Sequence, residues 1–146
     1  MQKLRSLVAG LAGSIALNIL HETMRKTDKG APRVNKIGEE ALAKSLRYFG
    51  SPVPGDRELY QATLASDLVG NAFYYALIGA GDPRFIWPRG IMYGLMAGVG
   101  AVQLPKPMGL NPEPVTRTTK TKAMTTGYYL FGALVTAAVL TAMRRK

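Results

Sequence analysis

Residues 124–143 read MTTGYYLFGALVTAAVLTAM, twenty positions without a charge, closed by Arg144-Arg145-Lys146. A run of this length matches the roughly 20 residues that an α-helix needs to cross a hydrocarbon core. The basic cluster behind it has the character of a headgroup-facing end. Three further uncharged runs, at 6–20, 68–81 and 90–105, are shorter. They reach membrane length only with help: Arg5, Arg25 and Arg89 can snorkel, Asp67 must be tolerated inside the second, and Tyr60, Trp87, Tyr128 and Tyr129 are placed for interfaces. The resulting reading is all-α, a single membrane domain over residues 1–146. It is a polytopic transmembrane helical bundle with four spans at about 4–26, 59–81, 87–105 and 124–143.

Composition points the same way. The chain is 47% hydrophobic, yet its mean hydropathy is only +0.03, because the 19 Lys and Arg fall almost wholly outside the four runs. A soluble bundle would have to bury four such runs with few polar helical faces to cover them. The net charge of +10 is explained by attraction to anionic headgroups and by topology, so lipid, and not nucleic acid, is the expected partner. Most basic residues lie in the first and third connectors, and the positive-inside bias then places both termini outside. The absence of Cys excludes disulfides, thiolate metal sites and Cys nucleophiles. Residues 1–20 mimic a secretory signal, but their small residues lie within the apolar run. His21-Glu22-Thr23-Met24-Arg25-Lys26 follows with no small-x-small site, so a retained span is expected.

Two connectors carry structure of their own. At about 34–49, Val34, Ile37, Ala41, Leu42, Leu46 and Phe49 share one helical side while Lys36, Glu39, Glu40, Lys44 and Arg47 share the other. This predicts an amphipathic interfacial helix between spans 1 and 2, stopped by Gly50, Pro52 and Pro54, lying on the membrane surface or against the bundle's end. Residues 105–123 hold Pro105, Pro107, Pro112 and Pro114, then Thr116-Arg117-Thr118-Thr119-Lys120-Thr121-Lys122, and predict an extended, solvated, basic loop.

Inside the spans, two kinds of pattern stand out. Gly90, Gly94 and Gly98 recur every four residues, with Ala97 and Ala101 beside them, a small-residue face on which a second backbone can approach closely. A neighbouring helix of the same chain is the favoured occupant, a second copy the alternative. The first span carries Ser14, Asn18, His21 and Arg25 in one stripe with Glu22 beside it, and the second carries Tyr60, Thr63, Asp67, Asn71 and Tyr74. Polar stripes in lipid should face each other, forming an intramembrane seam. An ionisable residue at such depth is a functional candidate for proton or ion handling. Asp67 therefore has His21 or Arg89 as candidate partners, against a structural reading in which it hydrogen-bonds Asn18 or Ser14 and locks the bundle.

The seam offers no recognisable chemistry beyond that. Ser14 and His21 stand about 10 Å apart along the axis, too far for a nucleophile and its base. One His cannot ligate haem twice or complete a zinc site. Gly-x-Ser-x-Gly, Walker-type and dinucleotide signatures are absent. No enzyme activity, cofactor or metal is expected.

The ordering of Gly10-Leu11-Ala12-Gly13 at the opening of the first span, Ala31-Pro32-Arg33 after it, and Pro107-Met108-Gly109-Leu110 with Pro112 before the last span resembles the YagU-like family of small bacterial inner-membrane proteins. Gly127-Tyr128 stands where that family has Gly-His. The resemblance implies four spans, a bacterial inner (cell) membrane and no established catalytic residue. Together these features lead to a non-enzymatic, multi-pass protein that packs within or beside a larger membrane assembly, with other membrane subunits or itself as partners. The alternative is a small proton or solute transporter using the seam between spans 1 and 2.

Overall fold

The computed structural model describes residues 1–145, and among them are six α-helices, two 3₁₀ turns and no strand. α1 (Gln2–Thr27), α3 (Asp56–Ala76), α4 (Ile86–Gln103) and α6 (Thr119–Arg144) run alternately up and down as a four-helix bundle. α2 (Val34–Tyr48) and the single turn α5 (Glu113–Thr116) lie at one end, with the connectors. The start of α1, the end of α6 and the 3₁₀ turns Leu77–Gly79 and Pro83–Phe85 lie at the other. α1 and α6 are long and apolar enough to cross a membrane. α3 and α4 are not by composition alone, since α3 contains Asp56, Arg57, Glu58 and Asp67, and the shorter α4 includes Pro88, Arg89 and Gln103.

The consecutive helices α3 and α4 are not neighbours in space, whereas α1 and α6, the first and last of the bundle, are. α1 packs on α3 and α6, and α6 on α4, so the helices lie in the order α3, α1, α6, α4. Small residues set each contact. Gly10 of α1 lies against the backbone of α3 at Ala72 and Ala76. Gly13 lies against Gly132 and Thr136 of α6. Gly90, Gly94 and Gly98 lie against Ala137, Leu130, Ala133 and Thr126 of α6. Close approach of this kind multiplies the dispersion contacts along each helix pair. The interior is completed by Tyr75, Ile78, Ala133 and Ala137, all 0% exposed.

The sequence reading of 105–123 as an extended loop is corrected. Leu110 and Val115 are buried, α5 forms within it, and α6 begins at Thr119, where the Thr118 side chain accepts from the Thr121 N–H. Such an N-cap satisfies one of the helix's free amides, which extends α6 beyond the uncharged run. The Arg117 guanidinium donates to the carbonyls of Lys29 (2.6 Å) and Ala31 (2.7 Å), and Thr121 Oγ1 donates to Gly30 O (2.9 Å). The third connector is thereby tied to the first, closing a collar around the end of α1. The amphipathic helix rests against the bundle's end, with Gly38 over Thr63. It stops at Tyr48, so Phe49, expected on its apolar face, is 79% exposed.

One member of the collar responds to acid. The Lys120 ammonium, first, and the Gly30 N–H, second, hold the Asp28 carboxyl below its ordinary value of 3.8. A carboxyl depressed in the folded state stabilises it above the unfolded value, and that contribution is lost as pH falls through the folded one. Amides of residues 28–31 should therefore exchange faster with deuterium at about pH 3 than the general acid slowing of exchange predicts. Lys120→Ala should abolish the difference, and an unchanged pH response in that variant would contradict the assignment.

Candidate functional site

The polar stripes of α1 and α3 do meet, but each predicted residue has its own fate. Ser14, 0% exposed, donates from Oγ to Leu68 O of α3 at 2.9 Å, and Asn18 Nδ2 donates to Ser14 O at 2.9 Å. Glu22 accepts from the Tyr60 hydroxyl across the helix pair at 2.5 Å and from Arg25 Nη2 at 2.8 Å. Its other near neighbour is His21 Nδ1, 3.9 Å away. These bonds satisfy polar groups that burial would otherwise leave unpaired, and they bind α1 to α3.

Three expectations for the seam fail. Tyr74 is turned away from α1: its hydroxyl donates to Tyr93 O of α4 at 2.8 Å, and Tyr75 takes the interior place. Arg89 cannot serve Asp67, because it lies at the opposite end of the bundle. There it donates to Ile78 O (2.9 Å) and Asp82 O (3.0 Å) and closes the α3–α4 turn. Nor does Asp67 lock the bundle through Ser14 or Asn18: each donates to a backbone carbonyl and neither bonds Asp67. Its carboxylate makes no hydrogen bond or ion pair with any described residue.

What the stripes do enclose is a chamber of about 20 Å³, walled by Asn18, His21, Glu22, Asn35, Asp67, Asn71, Tyr128 and Tyr129 among others. That is room for about one water, which requires upwards of 10–15 Å³. His21, Asn35 and Tyr128 are 7%, 8% and 5% exposed, and His21 Nε2, Asn35 Oδ1 and Tyr128 Oη have no hydrogen-bond partner in the protein. The His21 and Tyr128 rings meet edge to face with centroids 6.3 Å apart. Buried polar atoms left without protein partners are ordinarily satisfied by a trapped water or ligand. Asn35 and Tyr128 were not legible as site residues. Tyr128 reads as an interfacial aromatic but points inward, because Thr121, Thr125, Tyr128, Gly132 and Thr136 form a buried stripe on α6. Their steps of four, three, four and four were the available signal.

The small face of α4 divides in two. Gly90, Gly94 and Gly98 contact α6, whereas Ala97 and Ala101 line a separate groove of about 510 Å³ bounded by α2, α3 and α4. α3 and α4 make few contacts beyond Tyr74 and Tyr93, and the groove occupies the gap between them at the connector end. Asp67 and Tyr129 line both groove and chamber. Among the described residues no three His, Asp or Glu side chains converge as a metal site would require. No family model, curated protein or solved structure matches the chain.

Proposed function

We propose that the chain is a multi-pass protein of a bacterial inner membrane, with α1, α3, α4 and α6 crossing the bilayer, and that it works without covalent chemistry as a component packed within or beside a larger membrane assembly. The observation that carries this reading is the inverted distribution of side chains. Leu4, Leu11, Ile15 and Ile19 on α1, Val69 and Phe73 on α3, Ile91, Leu95 and Val99 on α4, and Phe131 on α6 are all exposed, while Ser14, Thr125, Thr136 and His21 are buried. Apolar patches exceeding those of a soluble monomer mark contact with lipid or protein. At 1.5 Å per residue α3 and α4 are about 31 and 27 Å long, close to the hydrocarbon thickness of roughly 30 Å.

The first and third connectors, which hold most of the basic residues, share one end of the bundle. That end is assigned to the cytoplasm and the termini to the outside. Kinship with the YagU-like proteins is proposed on the sequence resemblance alone; of the residues that carry it, Gly10 and Gly13 sit at close helix contacts, Ala31 inside the collar, and Gly109 with φ +79° in a turn.

The test is fractionation. The expressed chain should sediment with membranes, resist an alkaline carbonate wash, and come out of mild detergent with a stoichiometric partner or as a homo-oligomer. A folded, monodisperse protein in the detergent-free supernatant would overturn the membrane reading, and a strictly monomeric, partner-free one in detergent would overturn the assembly role.

The chamber favours a second reading, a small proton or solute transporter. Toward the termini the seam gives way to Gly10, Gly13, Tyr75 and Ile78 in close packing, so transport would require α1 to part from its neighbours. Proteoliposomes loaded with a pH-sensitive dye should then show proton movement that Asp67→Asn abolishes. Identical flux in the variant removes this reading.

A further inference from the structure

The groove between α2, α3 and α4 is lined by Ile37, Ala41, Met96, Ala101, Leu104 and Leu110, and its volume lies in the range of small-molecule sites. It differs from an ordinary crevice filled by lipid tails in one respect: Asp67 stands on its inner wall. α2 crosses above at Gly38, and the Asp67 carboxylate oxygens lie 3.7 and 3.8 Å from where a Cβ on that residue would be. What requires glycine there is Thr63, whose Cγ2 would lie 2.6 Å from that Cβ, so α2 sits close over α3 next to the carboxylate. Deeper in, the wall abuts the chamber with its unpartnered His21 Nε2, Asn35 Oδ1 and Tyr128 Oη.

We propose that the groove binds a single-chain lipophilic primary amine, its alkyl chain along α2 and α4 and its ammonium on Asp67. The chemistry selects that occupant. A carboxylate without a cation is costly in a low-dielectric interior, and a positive group at contact offsets the cost. An ammonium is donor-only and offers three N–H groups, which matches a carboxylate that as an ion only accepts. A trimethylammonium has the charge but no donor, and a fatty alcohol has a donor but no charge. The ligand enters sideways from the bilayer, past the exposed Met96 and Leu104, and so avoids the basic connectors. The inference rests on the bundle lying in lipid.

The experiment uses the full chain in phosphatidylcholine nanodiscs, titrated with dodecylamine, dodecanol and dodecyltrimethylammonium. Binding is read by native mass spectrometry and thermal melting, with uptake by empty discs subtracted. Dodecylamine should saturate at one per chain and bind at least about tenfold more tightly than the other two, the effect of a charge-assisted hydrogen bond. Asp67→Asn should remove that preference and leave dodecanol binding unchanged. Ala101→Phe, which fills the groove away from the carboxylate, should block all three. Equal binding of amine and alcohol by the wild-type protein, an amine preference that survives Asp67→Asn, or no saturable binding would each overturn the proposal while leaving the membrane reading intact. If Asp67→Asn does not fold, the ligand series and Ala101→Phe still decide. A chain that will not enter nanodiscs defeats the membrane reading and this proposal together.

Discussion

Gly10→Ala lowers the melting temperature of the bundle, whereas Gly127→Ala, the same change on another long helix, leaves it unchanged or raises it. At Gly10 an added Cβ would strike the Ala72 carbonyl and lie 2.8 Å from Ala76 N and 3.2 Å from its Cα. These are backbone atoms of α3, so no side chain can swing aside, and α1 must separate from α3 to make room. Overpacking of this kind costs about 1–3 kcal/mol. The opposing gain in helix propensity is at most about 1 kcal/mol in water. It shrinks in lipid, where the backbone is obliged to be helical anyway, so the clash wins. Nothing lies within 4 Å of a Cβ at Gly127, and there the propensity term acts alone. Gly98 should behave like Gly10, since a Cβ there would meet Thr126 Cα at 2.6 Å and its carbonyl oxygen at 2.8 Å. By the same logic Gly94→Leu costs more than Met92→Leu, whose side chain is 48% exposed. Melting of the variants in detergent gives the comparison, and equal shifts for Gly10→Ala and Gly127→Ala would refute the contact.

Tyr75→Ala has the largest effect expected of any single truncation, a loss of about 3–5 kcal/mol. The ring is 0% exposed, and its hydroxyl donates to Tyr129 O of α6 at 2.8 Å. It fits only because residue 132 is glycine: a Cβ there would stand 2.7 Å from Tyr75 Oη. Truncation leaves a cavity at the point where α1, α3 and α6 meet. Tyr75→Phe keeps the ring and forfeits one hydrogen bond, worth about 0.6 kcal/mol on average between membrane helices. Reversible unfolding in mixed micelles should therefore rank alanine far below phenylalanine. If the two variants are equally unstable, the hydroxyl rather than the packed ring sustains the junction.

Helix identity was legible because it rests on local signals, runs of uncharged residues and the amphipathic pattern of α2, which physics reads over a window of one or two dozen positions. The close-packing role of Gly90, Gly94 and Gly98 was legible for the same reason, as a spacing. What escaped was decided by partners distant in the chain. Tyr74 and Tyr75 are adjacent and alike, and only the angle at which α3 meets α1 settles which of them turns inward. Arg89 reads as a partner for Asp67 until the turn at Leu77–Gly79 places its carbonyls within reach. The buried edge of residues 105–123 was hidden by their prolines and charges, which favour a loop locally. Leu110 and Val115 nonetheless pack beneath the connectors, and Arg117 finds two carbonyls more than 80 positions away. Asn35 joins the chamber only because α2 folds back over α3.

The spatial order α3, α1, α6, α4 also constrains biogenesis. During synthesis α4 emerges before the helix whose backbone its glycines fit, and α3 gives it little to lean on. A nascent chain halted at the 105–118 connector would hold a paired α1 and α3 beside a glycine-studded α4 with no mate. In such an intermediate the face of Gly90, Gly94 and Gly98 stays uncovered until α6 arrives.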